Sequence, residues 1–136
     1  RMLNWWGDIA IVGGMFPLIA ADIVTRLDPQ DAAYFRTSRE ARLGGVRLED
    51  AAANRDKDVA RFRKSLDPMR LTLRSQPFLG GAAPNYADYI VFGGFQWARI
   101  VSPFRFLAED DLIFAWRDKL LDAFDGMARA TPGYPL

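Results

Sequence analysis

The spacing of hydrophobic positions predicts helices along the whole chain. Apolar residues recur at intervals of three and four, which places their side chains on one face of an α-helix. No stretch of useful length alternates apolar and polar residues, as a half-buried β-strand would. The pattern therefore predicts an all-α protein, a bundle of about five helices around one buried central helix.

The stretch from Tyr86 to Ser102 is the candidate for the central helix. Its only charged residues are Asp88 and Arg99, and a helix that is apolar on nearly every side belongs inside a bundle. Asn85 and Asp88 have the spacing of a capping box, in which each side chain accepts a hydrogen bond from the other residue's backbone N–H. We expect the pair Gly93-Gly94 to allow close approach of a neighbouring helix.

The first helix is predicted from Met2 to about Arg26 and is apolar over more than one face. It must therefore contact something beyond its own bundle, whether a partner domain, a second subunit or a ligand. Pro17 is expected to kink it, because proline removes an interior hydrogen bond. Met15 is interpreted as a core residue that fills space.

Two further helices are predicted before the central one. Asp28 caps a short helix that begins at Pro29 and ends at Gly44-Gly45. A longer helix runs from about Leu48 to Ser75, kinked at Pro68 but with its apolar seam in phase. That seam consists of Val59, Phe62, Leu66, Met69 and Leu73.

The last helix is predicted to start after Glu109, Asp110 and Asp111, because negative charge is favoured at a helix N-terminus. As a metal or catalytic cluster these three acids are a weak candidate, since no other ligand type is nearby in sequence. Its seam is predicted to comprise Ile113, Trp116, Leu120, Phe124 and Met127, the methionine again as core fill.

Composition excludes several classes of function. The chain has 18 basic and 17 acidic residues, and this balance argues against a nucleic-acid partner. It has no Cys and no His, which removes disulfides, thiolate nucleophiles, imidazole bases and most transition-metal sites. We therefore expect no metal, and a reducing cytoplasmic setting is compatible with these residues.

The apolar segment Ile9–Ala21 is shorter than the roughly 20 residues that span a bilayer. Asp8 interrupts the front of the segment, which argues against a signal peptide. We therefore expect no membrane partner.

A group of motifs resembles the C-terminal helical domain of the cytosolic glutathione S-transferases. The motifs are Phe78-Leu79-Gly80-Gly81 and Pro84-Asn85-x-Ala87-Asp88, followed by the apolar helix. Asn85 stands where the family usually has Ser or Thr and is equivalent for capping. The resemblance covers essentially residues 1–136, as one domain.

Other segments are similar to the β-etherase-like branch of that family, which includes bacterial enzymes that use glutathione to cleave aryl ethers. These segments are Tyr34-Phe35-Arg36-x-Ser38-Arg39-Glu40, Leu43-Gly44-Gly45, Arg47-Leu48-Glu49-Asp50 and Pro132-Gly133.

The resemblance implies an N-terminal thioredoxin-like domain as partner, which supplies the catalytic Ser, Tyr or Cys and binds most of glutathione, the co-substrate. No catalytic residue is then expected in this chain, which alone should be inactive. A homodimer and an aromatic small-molecule substrate are also implied. The substrate pocket would be lined by Trp5, Trp6, Asp8, Ile9 and Val12.

Each of these residues has a plainer interpretation. Trp6 suits the core, and Trp5 suits an interface. Asp8 either meets the amino group of glutathione across the dimer or faces solvent. Arg99 either binds an anion or, as the better interpretation, binds carbonyls or an acid near the helix end.

Two functions from different classes follow. The first is the substrate-binding and dimer-forming half of a glutathione-dependent transferase, with a β-aryl-etherase-like activity. The second is a non-catalytic protein-interaction module, since similar domains occur in translation factors and tRNA synthetases. The aromatic first helix favours the transferase.

Overall fold

The computed structural model describes residues 2–135. Its first helical run extends from Met2 to Val24 in three consecutive pieces: α1 (Met2–Trp6), a π-helical segment (Gly7–Val12) and α2 (Gly13–Val24). The Gly13 N–H donates to the Asp8 carbonyl, the i to i+5 bond of a π-helix. α2 continues through Pro17 in helical form, so the irregular turns lie before the proline and not at it.

This first run is 23 residues long and by length and composition is able to cross a bilayer. The prediction that the segment is too short to span a bilayer considered only Ile9–Ala21, whereas the helix extends beyond that segment at both ends. Length and composition are weak evidence, because a core helix passes the same test. Here Ile11, Met15 and Ile19 are fully buried, so one face of the run packs in the core.

The next part of the chain begins as predicted and then breaks more often than predicted. α3 (Pro29–Arg42) starts after Asp28, but the Asp28 side chain makes no capping hydrogen bond, so its predicted capping role is wrong. Gly44 and Gly45 follow the helix, both with positive φ. The single kinked helix expected after it is wrong. The structure instead has three helices: α4 (Leu48–Ala53), α5 (Arg55–Ser65) and α6 (Asp67–Leu73).

The two breaks between these helices have local causes. Asn54 leaves α-helical geometry (φ −99°, ψ 1°), and its side chain donates to the Asp50 carbonyl, a local bond with which Asn competes against the helix. Leu66 lies just before Asp67-Pro68, where proline lacks the N–H that a continuous helix needs. The seam survives both breaks: Val59, Phe62, Leu66 and Met69 are buried and Leu73 is half-buried.

The predicted central helix is α7 (Tyr86–Val101), and it lies at the centre of the core. Phe92 and Phe95 meet the ring of Trp116 edge-on, at centroid distances of 6.4 and 6.3 Å. A Cβ on Gly94 would lie 3.2 Å from Val12 Cγ2, so this glycine permits close approach of the first run. A Cβ on Gly93 would meet nothing within 4 Å, so the expectation for Gly93 is wrong.

One face of α7 is open. Along it lie Tyr86, Ile90, Gly93, Trp97 and Ile100, which are exposed or half-buried and which we call the open stripe. The expectation that other helices enclose α7 on every side is therefore wrong along this stripe. Its spacing of four, three, four and three residues puts these apolar side chains on one helical face.

The last predicted helix is interrupted. α8 (Leu112–Leu121) carries the buried Ile113, Trp116 and Leu120, as expected. Phe124, Asp125 and Gly126 then adopt left-handed backbone angles (φ 53°, 57° and 74°) at the start of α9 (Ala123–Ala130). The left-handed turn rotates the rest of the seam out of the core, so Phe124 and Met127 are exposed and their core assignment is wrong.

Residues 2–135 form nine α-helices and one π-helical segment, which confirms the predicted all-α class, although the breaks make the helices more numerous than the five predicted. Within residues 2–135 the only β pairing is an isolated bridge between Phe78 and Gly81. The segment after α9 returns to α7, where the Tyr134 N–H donates to the Arg99 carbonyl (3.0 Å) and Arg99 Nε donates to the Tyr134 carbonyl (3.1 Å).

Candidate functional site

The turn before α7 is built around the Asp88 carboxylate. Oδ1 accepts hydrogen bonds from the Leu79 N–H (2.7 Å) and Trp116 Nε1 (2.8 Å). Oδ2 accepts from the N–H groups of Gly80 (2.8 Å) and Asn85 (3.0 Å). Four N–H donors thus compensate a carboxylate that is 0 % exposed, which would otherwise be costly to bury.

Both halves of the capping box are present. The Asn85 side chain accepts from the Ala87 N–H at 2.9 Å, and Asp88 accepts from the Asn85 N–H. Gly80 is required beside the box, because a Cβ there would lie 2.7 Å from the Ala83 carbonyl oxygen. Asp88 therefore joins the turn, α7 and α8, and with its oxygens occupied by backbone and indole donors its role is structural.

The five residues predicted to line a substrate pocket divide into two sets. Trp5 and Ile9 are 66 % and 56 % exposed, and Asp8 is also exposed. Trp6 is half-buried against the core, and Val12 is half-buried against Gly94. The outer three side chains are available to a ligand or partner, whereas the inner two hold the first run against α7.

Asp8 makes no ion pair or side-chain hydrogen bond with any residue of the described range 2–135. Among residues 2–135 its carboxylate is exposed to solvent, as one of the two alternatives expected. The other alternative, an amino group across a dimer, involves a second chain and stays a prediction.

The open stripe of α7 lies between two packed neighbours. On one side, Ile90 is so close to the first run that a Cβ on Gly7 would lie 2.8 Å from Ile90 Cγ2. On the other side, the Gln96 side chain donates to the Ala128 carbonyl of α9 at 2.8 Å. The stripe is thus an apolar surface between the first run and α9.

A cleft of about 330 Å³ lies elsewhere, between the first run and α5. Its lining includes Ala10, Gly14 and Pro17 on one side and Arg61 and Phe62 on the other. The five predicted residues do not line it. An aryl pocket around Trp5 and Ile9 therefore needs a wall that comes from outside residues 2–135.

Comparison with known protein families matches residues 4–118 to the glutathione S-transferase C-terminal domain. The chain belongs to that family. The match begins within α1 and ends within α8, so it includes the five predicted pocket residues, the capping box and Trp116.

The three acids before α8 were the weak candidate for a metal or catalytic cluster. Residues 2–135 contain no group of three or more acidic, His or Cys side chains placed to hold an ion. Two of these acids have other partners. Asp111 caps the helix by accepting from the Ile113 N–H (3.0 Å) and pairs with Arg70 (2.7 Å), while Glu109 pairs with Arg105 (3.3 Å).

The ion pair with Arg70 also keeps the carboxyl group of Asp111 ionised. Burial raises the pKa of Asp111, but hydrogen bonds from Arg70 and from the Ile113 N–H outweigh it, so the pKa lies below its ordinary value of 3.8. Asp111 is therefore charged at neutral pH and holds α6 against the start of α8.

A second polar cluster fixes the C-terminal end of α7, and sequence reasoning missed it. Asp22 of α2 accepts from Arg55 Nη1 at 2.7 Å and from the hydroxyl of the buried Ser102. Ser102 Oγ in turn accepts from the Phe104 N–H at 3.1 Å. Three residues so far apart in sequence carry no local signal of their contact, beyond the rule that buried polar groups find partners.

Sequence reasoning also missed the hydrogen bond from Trp116 to Asp88. It assigned Trp116 correctly to the seam of the last helix but predicted no acceptor for the indole N–H. A buried Trp usually hydrogen-bonds through that group, and Asp88 is the only acid in the apolar stretch of α7. Those two facts together were the available signal.

Proposed function

We propose that this domain is the substrate-binding and dimer-forming half of a glutathione-dependent transferase that acts on aryl ethers. Its partner in the proposal is a thioredoxin-like domain that carries the catalytic nucleophile-activating residue and most of the glutathione site. Family membership supports the transferase class. The segments resembling the β-etherase-like branch support the aryl ether as substrate class.

The observation that carries the proposal is an exposed apolar surface formed by Trp5, Ile9 and the open stripe. Trp5 and Ile9 are both more than half exposed, and the open stripe lies on α7 beside the run that carries them. Contiguous exposed apolar side chains of this kind mark interaction or ligand-binding surfaces. A second domain seated on the stripe would supply the missing wall beside Trp5 and Ile9.

The chemistry fits a thiol co-substrate. Displacement by the glutathione thiolate forms a C–S bond as the C–O bond of the aryl ether breaks. The oxygen leaves with the electron pair as a phenolate, which takes a proton from water to become the phenol. We propose that the indole of Trp5 packs against the aryl group, since aromatic side chains commonly line such sites. We further propose a homodimer in which Asp8 binds the amino group of glutathione held by the partner copy, and a cytoplasmic location where glutathione stays reduced.

The test is steady-state kinetics of the intact protein with glutathione and an aryl ether, following release of the phenol. Trp5→Ala should raise KM for the ether about tenfold, equivalent to about 1.4 kcal/mol of binding, and leave KM for glutathione unchanged. Leu71→Ala is the matched control, because Leu71 is an equally exposed apolar residue on α6. Equal effects of both substitutions, or none from Trp5→Ala, would contradict the assignment.

A second candidate function is a non-catalytic interaction module. The same open stripe supports it, since an apolar face can serve a protein partner without forming a pocket. The same assay separates the two: a module would release no phenol in the presence of glutathione. Ile90→Asp would then break partner binding while Leu71→Asp would not.

A further inference from the structure

A narrow cleft lies near the C-terminal end of α7, and no residue of the open stripe lines it. Its walls come from α7, from residues 103–109 and from α8, and Pro135 of the C-terminal segment also lines it. Arg99, Arg105 and Arg117 all line the cleft, with Glu109 as the acid. Its free volume is about 30 Å³, which is room for about two water-sized groups.

Arg117 is buried in this cleft without a polar partner. The residue is 8 % exposed, and its Nε has no hydrogen-bond acceptor among residues 2–135. The guanidinium lies over the ring of Phe114, 4.6 Å from the centroid, which covers one face but accepts no in-plane hydrogen bond. Buried guanidinium groups are normally paired, so a buried Nε without an acceptor among the described residues points to an anion that accepts its hydrogen bond.

The charges around Arg117 do not supply that anion. Asp118, the next residue in the chain, is held by Arg129 at 2.8 Å, and Glu109 is held by Arg105 at 3.3 Å. Arg99 points its donors at the carbonyls of Tyr134 and Ala128.

Arg117 nevertheless remains a cation at neutral pH. Burial lowers the pKa of Arg117 to about 10, while Asp118 acts in the opposite direction and Arg99 and Arg105 make smaller contributions that lower it. The cleft therefore holds an excess of positive charge around an unpaired donor.

We propose that this cleft is an anion site in which Arg117 binds one carboxylate group. The guanidinium fork matches a planar carboxylate through two parallel N–H···O bonds. The small free volume admits the carboxylate end of a ligand and excludes a bulky anion such as a large organic sulfonate. The occupant that we propose is the carboxylate of a free small molecule.

The direct test follows the Arg117 Nε–Hε resonance by NMR while sodium acetate replaces a bulky organic sulfonate at constant ionic strength. A saturating shift of that resonance, with none for the exposed Arg61, supports a site open to free carboxylates. The result that overturns the proposal is an Arg117 resonance that acetate leaves unshifted.

A stability measurement gives an independent readout. Arg117→Met removes the buried charge but keeps an apolar stem of similar reach, so in the sulfonate buffer we expect its Tm to equal or exceed that of the unsubstituted chain. In saturating acetate the order should reverse, because only the unsubstituted chain gains from binding. The control Arg61→Gln should respond to acetate as the unsubstituted chain does. A constant difference between Arg117→Met and the unsubstituted chain in both buffers would contradict a site for free carboxylates.

Discussion

Trp116 Nε1 donates a 2.8 Å hydrogen bond to Asp88 Oδ1 and so joins two helices across 28 residues of sequence. Both side chains are almost completely buried, in a core where Phe92 and Phe95 flank the indole. Asp88 receives three further bonds from the turn before α7. The capping residue of α7 thus also fixes the position of α8.

The first prediction concerns the stability of this arrangement. Asp88→Asn should lower the free energy of unfolding by about 3–4 kcal/mol. The substitution replaces one carboxylate oxygen with an NH2 group, which cannot accept the hydrogen bonds that the surrounding N–H groups donate. An ordinary lost cap costs about 1–2 kcal/mol. Urea denaturation followed by circular dichroism measures the difference, and a loss within the range of an ordinary cap would contradict the four-donor description.

The second prediction isolates the bond between the two helices. In a double-mutant cycle of Asp88→Asn and Trp116→Phe, the two effects should fail to add by about 1 kcal/mol or more, as expected of directly coupled residues. Trp97→Phe is the matched control, since Trp97 lies on the open stripe of the same helix and has no bond to Asp88. Additivity of the Trp116 pair would show that the hydrogen bond contributes nothing.

The third prediction compares two adjacent glycines of α7. Gly93→Ala should stabilise the chain by about 0.5–1 kcal/mol, because the new methyl group meets no atom and helix propensity improves. Gly94→Ala should gain less or lose, because its methyl group would press on Val12 at 3.2 Å. Thermal denaturation of the two variants provides the measurement. Equal Tm values would contradict the close approach of the first run.

The fourth prediction concerns pH. Because the pKa of Asp111 is lower in the folded chain, its ion pair with Arg70 stabilises fully above the ordinary value of 3.8 and loses that effect as pH falls through the folded pKa. Asp111→Asn keeps the capping oxygen but removes the charge. Its urea midpoint should lie below that of the unsubstituted chain at neutral pH, and the gap should close well below 3.8.

The matched control for that experiment is Asp58→Asn. Asp58 pairs with Arg61 at 3.4 Å on the surface, where ion pairs contribute little to stability. A gap for Asp111→Asn that is independent of pH would assign its effect to something other than the charge of the carboxyl group.

Local sequence signals predicted the starts of helices well. Asn85 begins α7 with the predicted capping box, and Pro29 begins α3 where predicted, although the Asp28 side chain makes no capping hydrogen bond. The breaks at Asn54 and after Leu121 were missed for different reasons. The apolar seam stays in phase around Asn54, so the spacing of hydrophobic residues did not indicate a break there. The left-handed turn includes Phe124 and Asp125, two residue types that do not adopt positive φ by default.

Three-dimensional neighbours were the part that sequence could not provide. The apolar pattern of α7 is the same for a helix enclosed on all sides and for one with an open stripe, since a pattern records polarity and not what covers it. For the same reason Trp5 and Ile9 were identified as site candidates, but their exposure came only from the structure. Nothing in the sequence indicated that Arg117 would be buried with no hydrogen-bond acceptor for its Nε among the described residues.

The central claim is that this domain supplies a substrate surface and a second domain supplies the catalytic residue. The most direct measurement is glutathione-dependent release of a phenol from an aryl ether, for the 136-residue chain alone and for the same chain joined to a thioredoxin-like domain. We predict no turnover above the uncatalysed rate for the chain alone and measurable turnover for the two-domain protein. Turnover by the chain alone would contradict the claim, as would a two-domain protein that binds both substrates and releases no phenol.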